Sequence, residues 1–139
     1  MWTGLASHPW AYPALETVHV LGIALLFGGL LVFELRLLGL ARVLDLAALA
    51  RLVLPLALLG FGLCALTGLA MFATQPQELL ANPAFRLKLL LLMLAGANAA
   101  WFHARGSLAV ADRPARALGL ISMGIWVAVI ICGRWIAYV

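Results

Sequence analysis

Charge is scarce in this sequence. Only 10% of its 139 residues are Asp, Glu, Lys or Arg, against 66% hydrophobic residues and a mean hydropathy of +1.13. A chain with so little polar side chain cannot cover a water-facing surface, which excludes a soluble domain and makes lipid its solvent. Cysteine is nearly absent as well: Cys64 and Cys132 each sit inside an apolar stretch, which gives no disulfide framework. No Lys or Arg precedes Arg36, and the first apolar stretch is full length. The basic n-region and short apolar core of a cleaved secretory signal are therefore both missing. Missing too are HExxH, a Gly-rich phosphate loop and a Ser-His-Asp set at matched depth, so metallohydrolase and acyl-transfer chemistry lack their parts. Four spans make a small bundle without an inverted repeat or a pair of unwound helices, which argues against a channel or transporter.

Long apolar runs are what the chain does have. A spanning helix needs roughly 20 mostly apolar residues, and four stretches qualify: about Ala14 to Leu38, Leu49 to Thr74, Pro83 to Ala104 and Ala115 to Tyr138. Short connections make neighbouring helices antiparallel. The expectation is an all-α integral membrane four-helix bundle, a single transmembrane domain over residues 1–139. Pro9 and Pro13 precede the first span, "TQPQELLANP" separates the second and third, and "RGSLAVADRP" the third and fourth. Pro55 lies inside the second span, where a neighbour can satisfy the freed carbonyl.

The basic residues orient the bundle. Arg36, Arg42 and Arg51 flank the first connection and Arg105, Arg113 and Arg116 the third, whereas the other side has Arg86, Lys88 and Arg134 inside or at the edges of helices. By the positive-inside rule both termini lie on the non-cytoplasmic side of a bacterial inner membrane. The net charge of +4 is mostly this topology signal and not a nucleic-acid footprint. Small residues recur every four positions as Gly60, Cys64, Gly68 on the second span, Gly96, Ala100, Ala104 on the third and Gly124, Ala128, Cys132 on the fourth. Such seams allow close helix approach, either inside the bundle or between copies in a homo-oligomer.

The embedded polar residues fall into two groups by depth. Glu34 and Arg36 end the first span and His103 and Arg105 end the third, where carboxylate and guanidinium can pair at headgroup level. At the other side lie Glu16, His19, Arg86, Lys88 and Arg134. Three cations there face one carboxylate, so an anionic ligand would complete the balance. Glu16, His19 and Gly22 share one helix face, and Gly22 leaves room one turn below His19. A flat apolar group with acidic appendages, a porphyrin or a quinone, suits that description.

A haem held between His19 and His103 is excluded by depth. Axial nitrogens lie about 4 Å apart across a metal, whereas His103 is roughly 22 Å beyond Lys88 along the same helix. For haem b, His19 is the expected axial ligand, with Lys88, His8 or another group at that depth opposite and Arg86 or Arg134 beside the propionates. Copper is the competing cofactor, since Cys64, Met71, Cys132, His8 and His19 share one half of the bundle and thiolate and thioether suit Cu(I). No Met-x-x-Met or Cys-x-x-Cys motif supports it.

A family resemblance rests on an early histidine in the first span, a Gly-Gly step, the "FELRLLG" exit, a Gly-rich second span, and "NPAFRLKLLLL" opening the third with "WFH" closing it. This order resembles the small four-helix membrane protoporphyrinogen oxidases, and the resemblance implies haem b held at His19 and Lys88. The chain departs from them at Leu26 or Phe27, where they carry a tryptophan, and at the "FELRLLG" exit. It is also similar to copper-resistance D-type membrane domains, and most of all to bacterial four-span proteins that share "RLLG", "NPAFRLK" and "GRWIA" and carry no assigned activity. The expected function is haem b or quinone-like ligand binding in electron transfer or porphyrin oxidation, with a redox partner or larger membrane complex. The alternatives are a copper-handling protein and a non-catalytic anchoring or assembly subunit.

Overall fold

A span must satisfy its backbone internally in lipid, and all four apolar stretches do so as α-helices in the computed structural model, which describes residues 9–139. They are α1 (Ala11–Leu37), α2 (Leu46–Thr74), α4 (Pro83–Ala104) and α6 (Arg113–Trp135), each long and apolar enough to cross a membrane. Two short helices, α3 (Pro76–Ala81) and α5 (Ser107–Val110), occupy the second and third connections. The protein is an all-α, four-span membrane bundle.

Polar caps set where the spans begin. Asp45 accepts from the Ala48 amide at 3.0 Å, so α2 starts at Leu46 and not at Leu49. Asp112 accepts from the Ala115 amide at 3.0 Å and starts α6 at Arg113 instead of Ala115. Asn82 caps α4, accepting from Ala84 N at 2.9 Å, and donates through Nδ2 to the Ile136 carbonyl at 2.9 Å, which ties the start of α4 to the end of α6. Hydropathy alone places the boundary at the first apolar residue; the cap places it at the first satisfied amide. α2 runs on as helix through Pro55.

Two antiparallel hairpins stand side by side. α1 packs chiefly on α2 and α4 on α6, and the backbones of the two pairs come close only between α1 and α6. Glycine makes the α1–α2 contact possible. A Cβ on Gly60 would stand 2.5 Å from the Gly22 carbonyl oxygen and 2.6 Å from Leu26 N, and one on Gly22 would stand 2.8 Å from the Gly60 carbonyl oxygen. Gly29 continues the seam against Val53 and Ala57. The expected seam on α2 thus closes inside the bundle, whereas Gly96, Ala100 and Ala104 of α4 and Gly124 of α6 are exposed, with Ala128 half-buried and Cys132 buried.

Aromatic side chains fill the wider gap between the hairpins. Phe72 of α2 stacks on Phe85 of α4 at 5.7 Å, and Phe33 of α1 meets Phe102 of α4 edge-on at 6.1 Å. Phe33, Leu37, Ala50, Val53, Phe102 and Ala115 form the apolar core, at the end of the bundle where α1 stops and α6 starts. The outer surface is apolar as well, with Leu58, Leu66, Leu69 and Met93 all exposed, as a lipid-facing surface should be.

The expected pairing of Glu34 and Arg36 with His103 and Arg105 is not what the structure holds. Successive helical residues turn by about 100°, so Glu34 and Arg36 lie on opposite sides of α1. Arg36 donates from Nε to the Leu44 carbonyl at 2.6 Å, while Glu34 points inward and is only 4% exposed. Arg105 instead pairs with Asp112 at 3.0 Å across the third connection and donates to the fully buried Ser107 hydroxyl at 2.6 Å.

That connection carries a pH prediction. The hydrogen bond from Arg105 holds the Asp112 carboxyl below its usual range, helped by the Ala115 amide. A depressed carboxyl contributes stability above its unfolded pKa and loses it as pH falls through the folded value. Asp112→Asn keeps a capping oxygen but not the charge. It should unfold at a lower temperature than the parent at neutral pH, and the gap should close below the ordinary carboxylate range, as read from melting midpoints in detergent across a pH series.

Candidate functional site

His19 enters the bundle on the face of α1 that packs against α2. It lies about 12 Å from the start of α1, and Thr67 about 10 Å from the end of α2, at 1.5 Å per residue. Antiparallel packing brings these two depths together: His19 Nδ1 lies 2.8 Å from Thr67 Oγ1. The Gly22–Gly60 contact one turn deeper sets that register.

The protonation of this pair follows from counting hydrogens. The Thr67 hydroxyl has one proton, and it is donated to the Leu63 carbonyl at 2.7 Å, with the Cys64 carbonyl a longer second acceptor at 3.3 Å. Toward His19 the hydroxyl oxygen can then only accept. Nδ1 is therefore the protonated nitrogen, and in the neutral ring Nε2 keeps its lone pair. The Cys64 thiol reaches back to the His19 carbonyl at 3.5 Å, so the same two helix turns are tied twice.

Lys88 completes the site. It lies about 7 Å from the start of α4, partly buried, and close enough to His19, Cys64 and Cys132 to couple to them electrostatically. Its ammonium lies over α6 beside Gly133, 3.5 Å from where a Cβ would stand. No carboxylate forms an ion pair with it among the described residues. The site thus combines one imidazole lone pair with one unpaired amine, from helices of different hairpins.

Compared with known proteins, the chain matches no family model, no curated protein and no solved structure. The helical four-span architecture therefore stands on the chain's own hydropathy and structure, and the family resemblance on the quoted motifs alone.

The remaining expected site residues are placed differently. Glu16 and Arg86 are exposed and form no ion pair or hydrogen bond with His19 or Lys88. Arg134 is exposed too and engages Tyr138, with its guanidinium carbon 5.7 Å from the ring centre. The expected convergence of three cations is thus reduced to a partly buried Lys88, with both arginines exposed. Gly22 is buried, and the room expected above it is taken by Gly60 and Cys64 of α2. Its missing side chain serves helix packing. His8 lies outside the described residues.

Copper would need several soft donors in one place. Among the described residues, no three His, Cys, Asp or Glu side chains converge as a metal site. Sequence reasoning missed Thr67, although its signal was present: Gly60, Cys64 and Thr67 follow i, i+4, i+7 spacing and so share the face that carries the glycine seam.

Proposed function

We propose that the protein is a multi-pass bundle of a bacterial inner membrane, with both termini on the non-cytoplasmic side, that binds haem b at His19 and serves electron transfer or porphyrin oxidation. One observation carries the reading: Thr67 accepts from Nδ1–H and leaves Nε2 with its lone pair. Metal-ligating histidines are oriented in this way, the second nitrogen donating to a fixed oxygen acceptor. The same tautomer separates haem from a quinone, because a quinone carbonyl needs a donor and Nε2 offers none. A single axial histidine also needs no cluster of protein ligands.

Haem supplies a one-electron centre whose potential the axial ligand and its hydrogen bonds tune. The chain's own residues do the rest. Thr67 fixes the ring, Lys88 offers either a second lone pair or a proton, and the exposed Arg86, Arg134 and Glu16 are the charged groups available to acidic substituents.

The test is optical. Protein expressed with haem supplementation and purified in detergent should show a Soret band, and His19→Ala should abolish it while retaining the helical circular-dichroism spectrum of the parent. A colourless parent protein, or an unchanged band in His19→Ala, overturns the reading.

A further inference from the structure

The other end of the bundle holds a second polar site unrelated to His19. Glu34 of α1 is 4% exposed, and its Oε2 is fully buried with no hydrogen-bond partner among the described residues. Ser122 of α6 lines the same cavity as the carboxyl group. An ionisable group in a span is expensive, and an unpartnered one more so. Glu34 is not beside an arginine that would neutralise it: Arg36 is held by the Leu44 carbonyl and Arg105 by Asp112.

A cavity of about 50 Å³ adjoins Glu34. One water needs roughly 10–15 Å³ of such space and two or more polar partners, so room exists for more than one. The partners are present: Ser122, Asn98 and His103 line the cavity with Glu34, and Leu54 of α2 closes it with carbon. Asn98 spends its amide nitrogen on the Leu118 carbonyl of α6 at 3.0 Å, which holds the α4–α6 wall in place. His103 is exposed while Glu34 is not, so the cavity joins a buried carboxyl to an imidazole that reaches the outside. From α2 and α6 no titratable group lines it, and from α4 only His103 does.

We propose that this cavity is a hydrated proton-binding site, in which the Glu34 carboxyl takes up and releases a proton through water shared with His103. Uptake forms an O–H bond on Glu34 as the donor water or imidazolium gives up its proton, and release reverses it; no electron moves. Ser122 and Asn98 orient the water, and Leu54 and Phe102 supply carbon walls beside it. The site needs neither haem nor His19.

Infrared spectroscopy of the detergent-solubilised full chain tests it, with His19→Ala included so that failure of the haem reading is scored separately. The parent should show a protonated-carboxyl stretch that comes and goes with pH and shifts in deuterated water. The band should be lost in Glu34→Gln. If that variant does not fold, isotope-labelled glutamate in the parent makes the same assignment, because Glu16 and Glu78 are exposed. His103→Leu should keep the band and slow its shift after transfer into deuterated water severalfold. A Glu34 band that never titrates, or one that answers to sodium at constant pH instead of to pH, overturns the proposal, as does exchange at the parental rate in His103→Leu.

Discussion

Gly60→Ala should be the most damaging glycine-to-alanine change among the described residues. The added Cβ would meet Gly22 O at 2.5 Å and Leu26 N at 2.6 Å, both backbone atoms of α1 that no rotamer change can move aside. Carbon prefers about 3.5–4.0 Å from its neighbours, so the hairpin has to open by about 1 Å along its whole α1–α2 seam. Overpacking of a well-filled core costs about 1–3 kcal/mol, and a contact on backbone at both points belongs at the upper end of that range. The same opening strains the His19–Thr67 hydrogen bond, which lies one to two turns along the same seam. Gly62→Ala is the matched control, since nothing lies within 4 Å of a Cβ there. Denaturation midpoints in detergent should fall clearly for Gly60→Ala and stay at or above the parental value for Gly62→Ala. Equal midpoints would mean that α1 and α2 do not meet at this register.

That seam also shows how far the chain could be read before its structure was known. Span number and type were legible because each span needs a continuous apolar run, and no other pattern in the chain competes with that signal. The third span starts at Pro83 as read, but the starts of the second and fourth were not legible, because Asp45 and Asp112 are polar and fall outside any hydropathy window, yet they decide where the first amide is satisfied. Gly22 was correctly singled out on the face of His19, but sequence spacing on one helix cannot say whether a gap will be filled by a ligand or by a neighbouring backbone. The neighbour filled it. Glu34 illustrates the opposite error. Its nearness to Arg36 in the sequence suggested a headgroup pair, and two helical steps send the pair to opposite sides of α1. His19 and Lys88 were placed at one depth by counting residues, and the structure brings them within electrostatic reach. Thr67, which decides what the imidazole can do, carries no charge and no motif, and only its position on the glycine face could have marked it.

Replacing Thr67 with valine should therefore weaken haem binding far more than it weakens the bundle. Valine keeps the branched shape at Cβ and removes only the oxygen that accepts from His19 Nδ1. The ring then loses the interaction that selects its tautomer and fixes its plane, and partners of this kind are worth about 10–100-fold in metal affinity. The Leu63 carbonyl loses the Thr67 proton as well, but it remains an acceptor within α2, so the helix itself is little affected. Haem titration followed at the Soret band should show the affinity of Thr67→Val reduced by about one to two orders of magnitude, with Thr67→Ser close to the parent and Thr67→Val melting only slightly lower for its one lost α1–α2 hydrogen bond. The comparison with His19→Ala locates the effect. If His19→Ala loses haem and Thr67→Val binds as tightly as the parent, the imidazole is a ligand but the hydroxyl does not orient it. If Thr67→Val falls and Thr67→Ser recovers, the lone pair on Nε2 is the product of a hydroxyl whose single proton is already committed to its own helix.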